Sequence, residues 1–249
     1  MKIHHLSNST KISVLIVLMF IQVAFMPSIL QAESSYQFSI TGNIAYPQND
    51  FQDYVSNSPV GIGLDFIYSP PSSFFGVGAT IEYLNYGIQY HEELLQLHDC
   101  DYLVDVRTTN NILTGGILFR VQNKQSSIRP YLDAVIGFNL FYTISKQQDV
   151  DYWNDDEIYR KVDHSDITFA YGNGVGLLIK AYDHRDKYDS WIDSDFIMYV
   201  DMHLRYMKGN QADYLTKGAM SVYGHQQNLG VSSSNTDMIS AQLGLLFEF

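Results

Sequence analysis

The chain has 249 residues, of which 46% are hydrophobic and 14% aromatic, and its formal net charge at pH 7 is −12. So acidic a chain is a poor partner for nucleic acid or for anionic surfaces. Its one cysteine, Cys100, excludes an internal disulfide and is interpreted as a free thiol in a loop.

The N-terminal segment predicts an export signal. Two lysines precede an apolar run over 12–26, and the small residue Ala32 stands where a signal peptidase would cut. The run contains Gln22 and is shorter than the roughly 20 residues that a membrane-spanning helix needs. We therefore expect residues 1–32 to be a cleaved signal peptide and residues 33–249 to form one domain.

Beyond the predicted signal, apolar and polar residues alternate in eight separate segments. These segments are 36–46, 60–68, 75–83, 111–121, 128–144, 167–181, 196–206 and 238–249. Each has about the length of a tilted transmembrane strand, and their number is even. A soluble β-sandwich also alternates, but its water-facing side is dense in charged residues, whereas glycines and isolated charges occupy the polar positions here. The pattern therefore favours an all-β fold, an eight-stranded antiparallel up-and-down transmembrane β-barrel.

The connector lengths predict a topology in which the first strand runs outward from the periplasm. The predicted outer connectors are 47–59, 87–108, 146–165 and 207–236, and the inner ones are 69–74, 122–127 and 182–194. Long outer loops and short inner turns are the usual asymmetry of such barrels. Aromatic residues near the strand ends, Tyr86 among them, predict two girdles at the headgroup levels.

The C-terminal strand is the most motif-like part of the chain. Leu243, Leu245, Phe247 and Phe249 share one face of it, opposite Gln242, Gly244 and Glu248. This octet resembles the C-terminal assembly signal of bacterial outer-membrane barrels, with Gln242, Gly244, Phe247 and Phe249 as its elements. The stretches 129–137 and 209–215 are similar to stretches seen in the same group. The chain thus resembles, mainly in pattern, the small outer-membrane β-barrel superfamily of OmpA/OmpX-like barrels.

That resemblance implies a location, and partners that go with it. The location is the cell outer membrane of a Gram-negative-type bacterium, and the partners are outer-membrane lipid and, during insertion, the barrel-assembly machinery. Members of the group serve as envelope structural proteins, adhesins, small pores and lipid-modifying enzymes, so the resemblance does not choose a role. We expect a monomer without a cofactor, a metal ion or catalytic residues.

Charged residues at lumen-facing positions form the main candidate site. They are Asp65, Glu82, Arg120, Arg129, Asp133, Lys180, Asp201, His203, Arg205 and Glu248. One interpretation is a gated ion path, and the other is a plug of ion pairs. We favour the plug, because an eight-stranded barrel has room inside for side chains and little more. Asp65, Glu82, Asp133 and Asp201 are expected near mid-height, with Arg120, Arg129, Lys180 and Glu248 nearer the periplasm.

Three weaker constellations lie in the predicted outer loops. Closely spaced carboxylates could hold Ca²⁺, but no glycine stands where a tight calcium loop needs one; they are Asp149, Asp151, Asp155, Asp156 and Glu157. Possible Zn²⁺ ligands without a standard spacing are His91, His98, Asp99, Cys100 and Asp101. Possible hydrolase residues are His164 with Asp163, Ser165 and Asp166, and His225 near Ser221.

From these patterns we expect a non-catalytic role, in envelope structure or in surface interaction through the extracellular loops with an unknown ligand. Aromatic and polar loops on a rigid scaffold are where binding usually resides. The runner-up is a narrow pore or carrier for a small solute. A lipid- or peptide-modifying barrel hydrolase is third.

Overall fold

The computed structural model describes residues 35–55, 57–70, 73–97, 100–124, 126–149, 157–183, 196–223 and 226–249. The elements, in chain order, are β1 (Ser35–Pro47), α1 (Asp50–Tyr54), β2 (Val60–Ser69), β3 (Phe75–Leu97), β4 (Cys100–Gln122), β5 (Ile128–Asp149), β6 (Glu157–Asp183), β7 (Ile197–Gly209), β8 (Gln211–Tyr223), β9 (Gln226–Asn235) and β10 (Met238–Glu248). None of the described helices is long and apolar enough to cross a membrane. The segment 1–32 lies outside the described residues, so the signal peptide stays a prediction.

Eight of the strands close into a barrel in the order β1-β10-β7-β6-β5-β4-β3-β2, and every neighbouring pair is antiparallel. This confirms the predicted fold class. Each of the eight alternating segments falls on a barrel strand. Strands β8 and β9 form a separate two-stranded hairpin between β7 and β10.

Burial in the barrel is the reverse of that in a soluble protein. Large apolar side chains such as Ile62, Ile136 and Leu243 are exposed on the outside, whereas polar ones such as Asn139 and Thr114 are buried inside. Strands with an apolar outer face and a polar inner face are those of a transmembrane barrel. The fold is therefore that of a small eight-stranded outer-membrane β-barrel.

The strands are strongly staggered around the barrel. The residue pairing that starts at Tyr46 passes from strand to strand and returns to β1 at Tyr36, ten residues away. Such a stagger requires strands that tilt relative to the barrel axis. Side chains from different positions along their own strands can therefore meet at the same height inside the lumen.

Three of the four predicted outer connectors consist largely of strands in the structure, so their prediction as loops was wrong. The stretch 87–108 is strand on both sides of its turn, since β3 runs to Leu97 and β4 starts at Cys100. Most of 146–165 belongs to β5 and β6, and most of 207–236 forms β8 and β9. A strand that has water on both faces needs no strict alternation, so the sequence pattern did not reveal these extensions.

Candidate functional site

The centre of the lumen holds a network of two arginines and two aspartates from four strands. Arg120 donates two hydrogen bonds to Asp133, from Nε to Oδ1 at 2.8 Å and from Nη2 to Oδ2 at 2.9 Å. Arg205 Nη2 lies 3.3 Å from Asp65 Oδ2 and 3.7 Å from Asp133 Oδ2. Arg120 Nη2 is 3.6 Å from Asp65 Oδ2, which closes the network. All four side chains are buried, so the positive charges are neutralised by direct contact.

The structure places Arg120 differently from the prediction. It was expected near the periplasmic end, but its guanidinium lies in the central network and stacks over the Tyr131 ring at 3.9 Å. The stagger of the strands explains the difference, because Arg120 pairs directly with Asp133 on β5. The role of Tyr131 in this site was not foreseen from the sequence.

The remaining central acids are held mainly by neutral donors. Asp201 accepts hydrogen bonds from the Tyr131 hydroxyl at 2.5 Å and from the Ser39 hydroxyl at 3.1 Å. Glu82 accepts hydrogen bonds from Asn43 at 2.7 Å and from Gln242 at 3.5 Å. These bonds bring β1, β3 and β10 into the same polar core and tie the walls of the barrel together.

His203 joins the central network at its edge. Its Nε2 lies 3.6 Å from Asp133 Oδ2, and its Nδ1 lies 3.3 Å from Gln242 Oε1. Gln242, one of the predicted assembly-signal residues, thus also has a lumen contact.

Glycines on β6 make room for the large lumen side chains. A Cβ at Gly176 would lie 2.1 Å from the Tyr131 ring, and a Cβ at Gly174 would lie 2.3 Å from the His203 ring. Any larger residue would therefore displace these side chains from the wall. The glycines that mark the polar face of this segment thus accommodate a filled interior.

A second layer lies at the end of the lumen that was predicted to face the periplasm. Arg129 Nη1 donates to Glu248 Oε2 at 2.8 Å, and its guanidinium lies over the Tyr199 ring at 4.6 Å. Gln37 also donates to Glu248 Oε2, at 2.7 Å. Lys124, in the inner turn, donates from Nζ to Ser35 Oγ and to the carbonyls of Ser69 and Pro70 at 2.8–3.0 Å. Burial lowers the pKa of Lys124, which pairs here with neutral acceptors.

The structure does not bring Lys180 into this network. Its Nζ lies 3.0 Å from Asp183 Oδ2 on the same strand, and its side chain is partly exposed at the rim. Lys180 thus lies at the end of β6, as expected, but its ion pair is with Asp183 and not with the central network. It stands near the end of β6, just before a register shift between Lys180 and Tyr182, where a strand pattern gives the least guidance.

An aromatic cap fills the outer mouth of the barrel. It consists of Phe51 from α1, Tyr86 from β3, Phe141 from β5 and Tyr214 from β8. The Phe51 ring meets those of Tyr214 and Phe141 edge-on, at centroid distances of 5.2 and 5.9 Å. Tyr86 was predicted in the outer girdle, but it points into the mouth and donates from its hydroxyl to Leu215 O at 3.2 Å.

The β8–β9 hairpin is fastened over the mouth by polar contacts. Asp166 accepts a hydrogen bond from the backbone N–H of Asp213 at 2.8 Å, and His164 Nε2 lies 2.9 Å from Asp213 O. Thr168 Oγ1 donates to Gln211 O at 3.1 Å. His164 and Asp166 thus both hold Asp213 of the hairpin against β6.

Tyr214 allows a direct test of the cap. Burial raises the pKa of the Tyr214 phenol to about 12, although its contact with Ser234 opposes the shift. The unfolded hairpin would lose this proton near pH 10, so the stability of the cap should fall as pH rises from about 10 towards 12. Tyrosinate absorbance at 295 nm, taken as wild type minus Tyr214→Phe, should titrate with a midpoint near pH 12. A midpoint near pH 10 would mean that Tyr214 is exposed and the mouth uncapped.

The metal candidates lie largely outside the described side chains. This holds for the acidic residues 149–157 and for the His, Cys and Asp residues between 91 and 101, and also for Ser221 and His225. Among the side chains that are described, no cluster of three or more His, Cys, Asp or Glu residues is arranged to hold a metal ion. The possible Ca²⁺ and Zn²⁺ sites therefore stay hypotheses.

Strands β3 to β6 continue beyond the barrel as a four-stranded sheet. The pairing of β2 with β3 ends at Asn85, and the pairing of β6 with β7 ends at Ala170. Beyond Asn85, β3 pairs only with β4, as far as Leu97. Within the described part of the chain, no strand pairs with the other edge of this segment, although Tyr86 at its start contacts Leu215 of β8.

No family model matches the chain, and no curated protein matches it. Among solved structures, the chain is similar to a Neisserial surface protein A, at 10% identity and a TM-score of 0.38 over 86% of this chain and 95% of that one. It is similar to the attachment invasion locus protein of Yersinia pestis, at 14% identity and a TM-score of 0.38 over 88% and 100%. It is also similar to a major outer membrane protein from Thermus thermophilus, at 9% identity and a TM-score of 0.43 over 86% and 99%. At these identities and TM-scores, the likenesses say nothing about the function of this chain.

Proposed function

We propose that this protein is a closed outer-membrane barrel of a Gram-negative-type bacterium, whose role is surface interaction through its extracellular sheet. The observation that carries this proposal is the unpaired edge of β3 beyond Asn85, in a barrel whose lumen is filled. The apolar outer face supports contact with outer-membrane lipid, and the C-terminal strand would be read by the assembly machinery during insertion.

The filled lumen argues against the pore or carrier. Three levels of side chains obstruct the path: the aromatic cap, the central network and the periplasmic layer around Arg129 and Glu248. A passing ion would have to separate arginines from aspartates in a buried, low-dielectric setting. The central acids and His203 are hydrogen-bonded or ion-paired to other residues of the barrel strands, which supports a non-catalytic role.

The backbone of β3 supports strand addition at its free edge. The N–H of Gln122 donates to Phe74 O at 2.9 Å, so these two residues form a hydrogen-bonded pair. Hydrogen-bonded pairs alternate along an antiparallel ladder. The backbone N–H and C=O groups of the even-numbered residues of β3 therefore point towards β4, as far as Leu84. The bulge at Tyr86 shifts this pattern by one residue, so the backbone groups of Ile88 and Tyr90 point to the free edge.

This edge lacks the usual protection against pairing. The stretch from Tyr86 to Tyr90 contains no proline and no charged residue, Ile88 and Tyr90 are exposed beside it, and the charged residues Glu92 and Glu93 come only further along the strand. Tyr90 is supported from the neighbouring strand by Arg107, whose guanidinium lies 5.7 Å from the ring centroid. Long unprotected edges are templates for a further strand, so an extended segment of another protein is the partner that we propose.

Random peptides displayed on phage and panned on the purified barrel in lipid nanodiscs would test this proposal. We expect enrichment of peptides rich in β-branched and aromatic residues. Ile88→Pro should weaken their binding by about tenfold, because it removes one edge N–H and places a ring in the docking path. Ile88→Ala keeps the N–H and is the matched control, with binding close to wild type. Failure to enrich peptides, or equal binding to Ile88→Pro, would contradict the proposed interaction.

A further inference from the structure

One polar side chain faces the lipid in the middle of the barrel wall. Between the two girdles, the described outward-facing residues of the eight strands are apolar, glycine or tyrosine, with the exception of Asn173. On β6 it is flanked by Phe169 and Tyr171 towards the outside and by Val175 and Leu177 towards the periplasm. Asn173 is exposed, and none of the described residues hydrogen-bonds to its side chain.

The depth of Asn173 follows from the strand register. The pairing path from Tyr46 at the outer girdle to Tyr36 at the inner girdle takes eight steps, and Asn173 is reached at the third. It therefore lies in the outer half of the apolar belt, one pairing step below Tyr206, where few polar groups surround a carboxamide. An unsatisfied amide in hydrocarbon is strongly unfavourable, so a partner within the membrane is needed.

We propose that Asn173 marks a contact with a second copy of this chain inside the membrane. A carboxamide is both donor and acceptor, so two copies related by a two-fold axis along the membrane normal can each donate to the other. The directly paired neighbour on β5 is the small residue Ala134, which lets a second barrel approach closely. The proposal rests on the membrane placement proposed above. It assigns a dimer, whereas the sequence analysis expects a monomer.

The surrounding surface fits such a dimer. An open groove of about 760 Å³ has Val121, Leu132 and Val175 on its lipid side, and its other walls include the inner-turn residue Lys124 and the lumen residues Gln122 and Tyr131. It lies on the β4–β5 side of Asn173, and β7 borders the other side. A two-fold axis at Asn173 would bring β7 of each copy opposite the groove of the other. The exposed side chains of Met202 and Leu204 on β7 are bulky enough to enter it.

Disulfide trapping tests this contact in the full chain carrying Cys100→Ser. Asn173→Cys, in lipid vesicles under mild oxidation, should give a covalent dimer that a reductant reverses. The matched control is Leu64→Cys, because Leu64 is also lipid-facing and its strand β2 lies four strands from β6, on the opposite side of the barrel. A dimer yield at Leu64→Cys equal to that at Asn173→Cys would overturn the proposal.

The equilibrium itself is tested by Förster transfer between labelled copies in the same vesicles. Asn173→Leu should raise the dimer dissociation constant about 3- to 30-fold, the effect of losing one or two hydrogen bonds within a membrane. Asn173→Gln should retain part of the affinity, since it keeps the carboxamide. An unchanged dissociation constant for Asn173→Leu would contradict the proposed contact, as would a trapped species in intact cells that joins Asn173→Cys to a different protein.

Heat-modifiable migration of each variant in electrophoresis establishes first that the barrel has formed. A chain that never forms such a barrel would contradict the membrane placement itself. A barrel that inserts but stays monomeric would contradict the dimer alone. Peptide binding at the β3 edge is measured separately on the formed barrel and does not depend on whether the barrel dimerises.

Discussion

Asp133→Ala should lower the free energy of unfolding by about 3–5 kcal/mol, because it leaves buried positive charge without its partner. Asp133 is the acid that touches most of the central network, with Arg120, Arg205 and His203 all within 3.7 Å. Urea titration of the folded barrel, followed by its heat-modifiable migration, would measure the loss. A change below about 1 kcal/mol would contradict a central role for the network.

A matched pair of variants separates charge from packing in this prediction. Combining Asp133→Leu with Arg120→Met removes both charges while keeping side-chain volume, so it should cost less than the two single changes added together. Arg129→Ala should also destabilise the barrel, but by less, because its partner Glu248 is less buried than Asp133 and is still reached by Gln37. If the paired variant were as unstable as the sum of the single ones, the network would act through packing.

Deletion of Phe249 should strongly reduce the amount of barrel in the outer membrane. Its N–H donates to Tyr36 O at 2.9 Å and its carbonyl accepts from the Tyr36 N–H at 3.3 Å, so it forms the last pair of the β1–β10 seam. Its ring is exposed and lies 6.3 Å from the ring of Phe196. We expect the deletion to remove both the closing pair and the terminal aromatic residue of the proposed assembly signal.

The measurement is the heat-modifiable barrel recovered from outer-membrane fractions. Phe249→Asp should behave like the deletion, whereas Phe249→Tyr should assemble normally. Phe74→Ala is the control for loss of an exposed aromatic ring next to an inner turn, because Phe74 is not part of the seam. Normal recovery of the deleted chain would mean that the C-terminal strand is not the assembly signal.

The sequence predicted the barrel wall because lipid and lumen impose opposite demands on neighbouring residues. Segments such as 36–46 and 196–206 alternate cleanly, since each residue must face hydrocarbon or the packed interior. The four-stranded sheet beyond the barrel was not predicted, because neither of its faces has to meet hydrocarbon or a packed lumen. Its strands are held by pairing with neighbours, which a single sequence does not display.

The candidate site was only partly predictable for a geometric reason. Alternation identified inward-facing charges such as Asp65, Asp133 and Arg205, which the structure brings together. Alternation does not reveal the stagger of the strands. Because of this stagger, the Arg120 guanidinium lies in the central network, whereas Lys180 lies at the rim. The outward position of Asn173 was also overlooked, because one polar residue in an apolar face resembles a small defect in the pattern.

The most direct test of the closed lumen is the conductance of the purified wild-type barrel in a planar lipid bilayer. We predict no steady current, because the aromatic cap, the central arginine–aspartate network and the periplasmic layer all have to open for an ion to pass. Asp133→Ala, which breaks the central network, should leak small ions and serves as the positive comparison. Sustained, ion-selective conductance by the wild type would contradict the closed barrel and favour the pore.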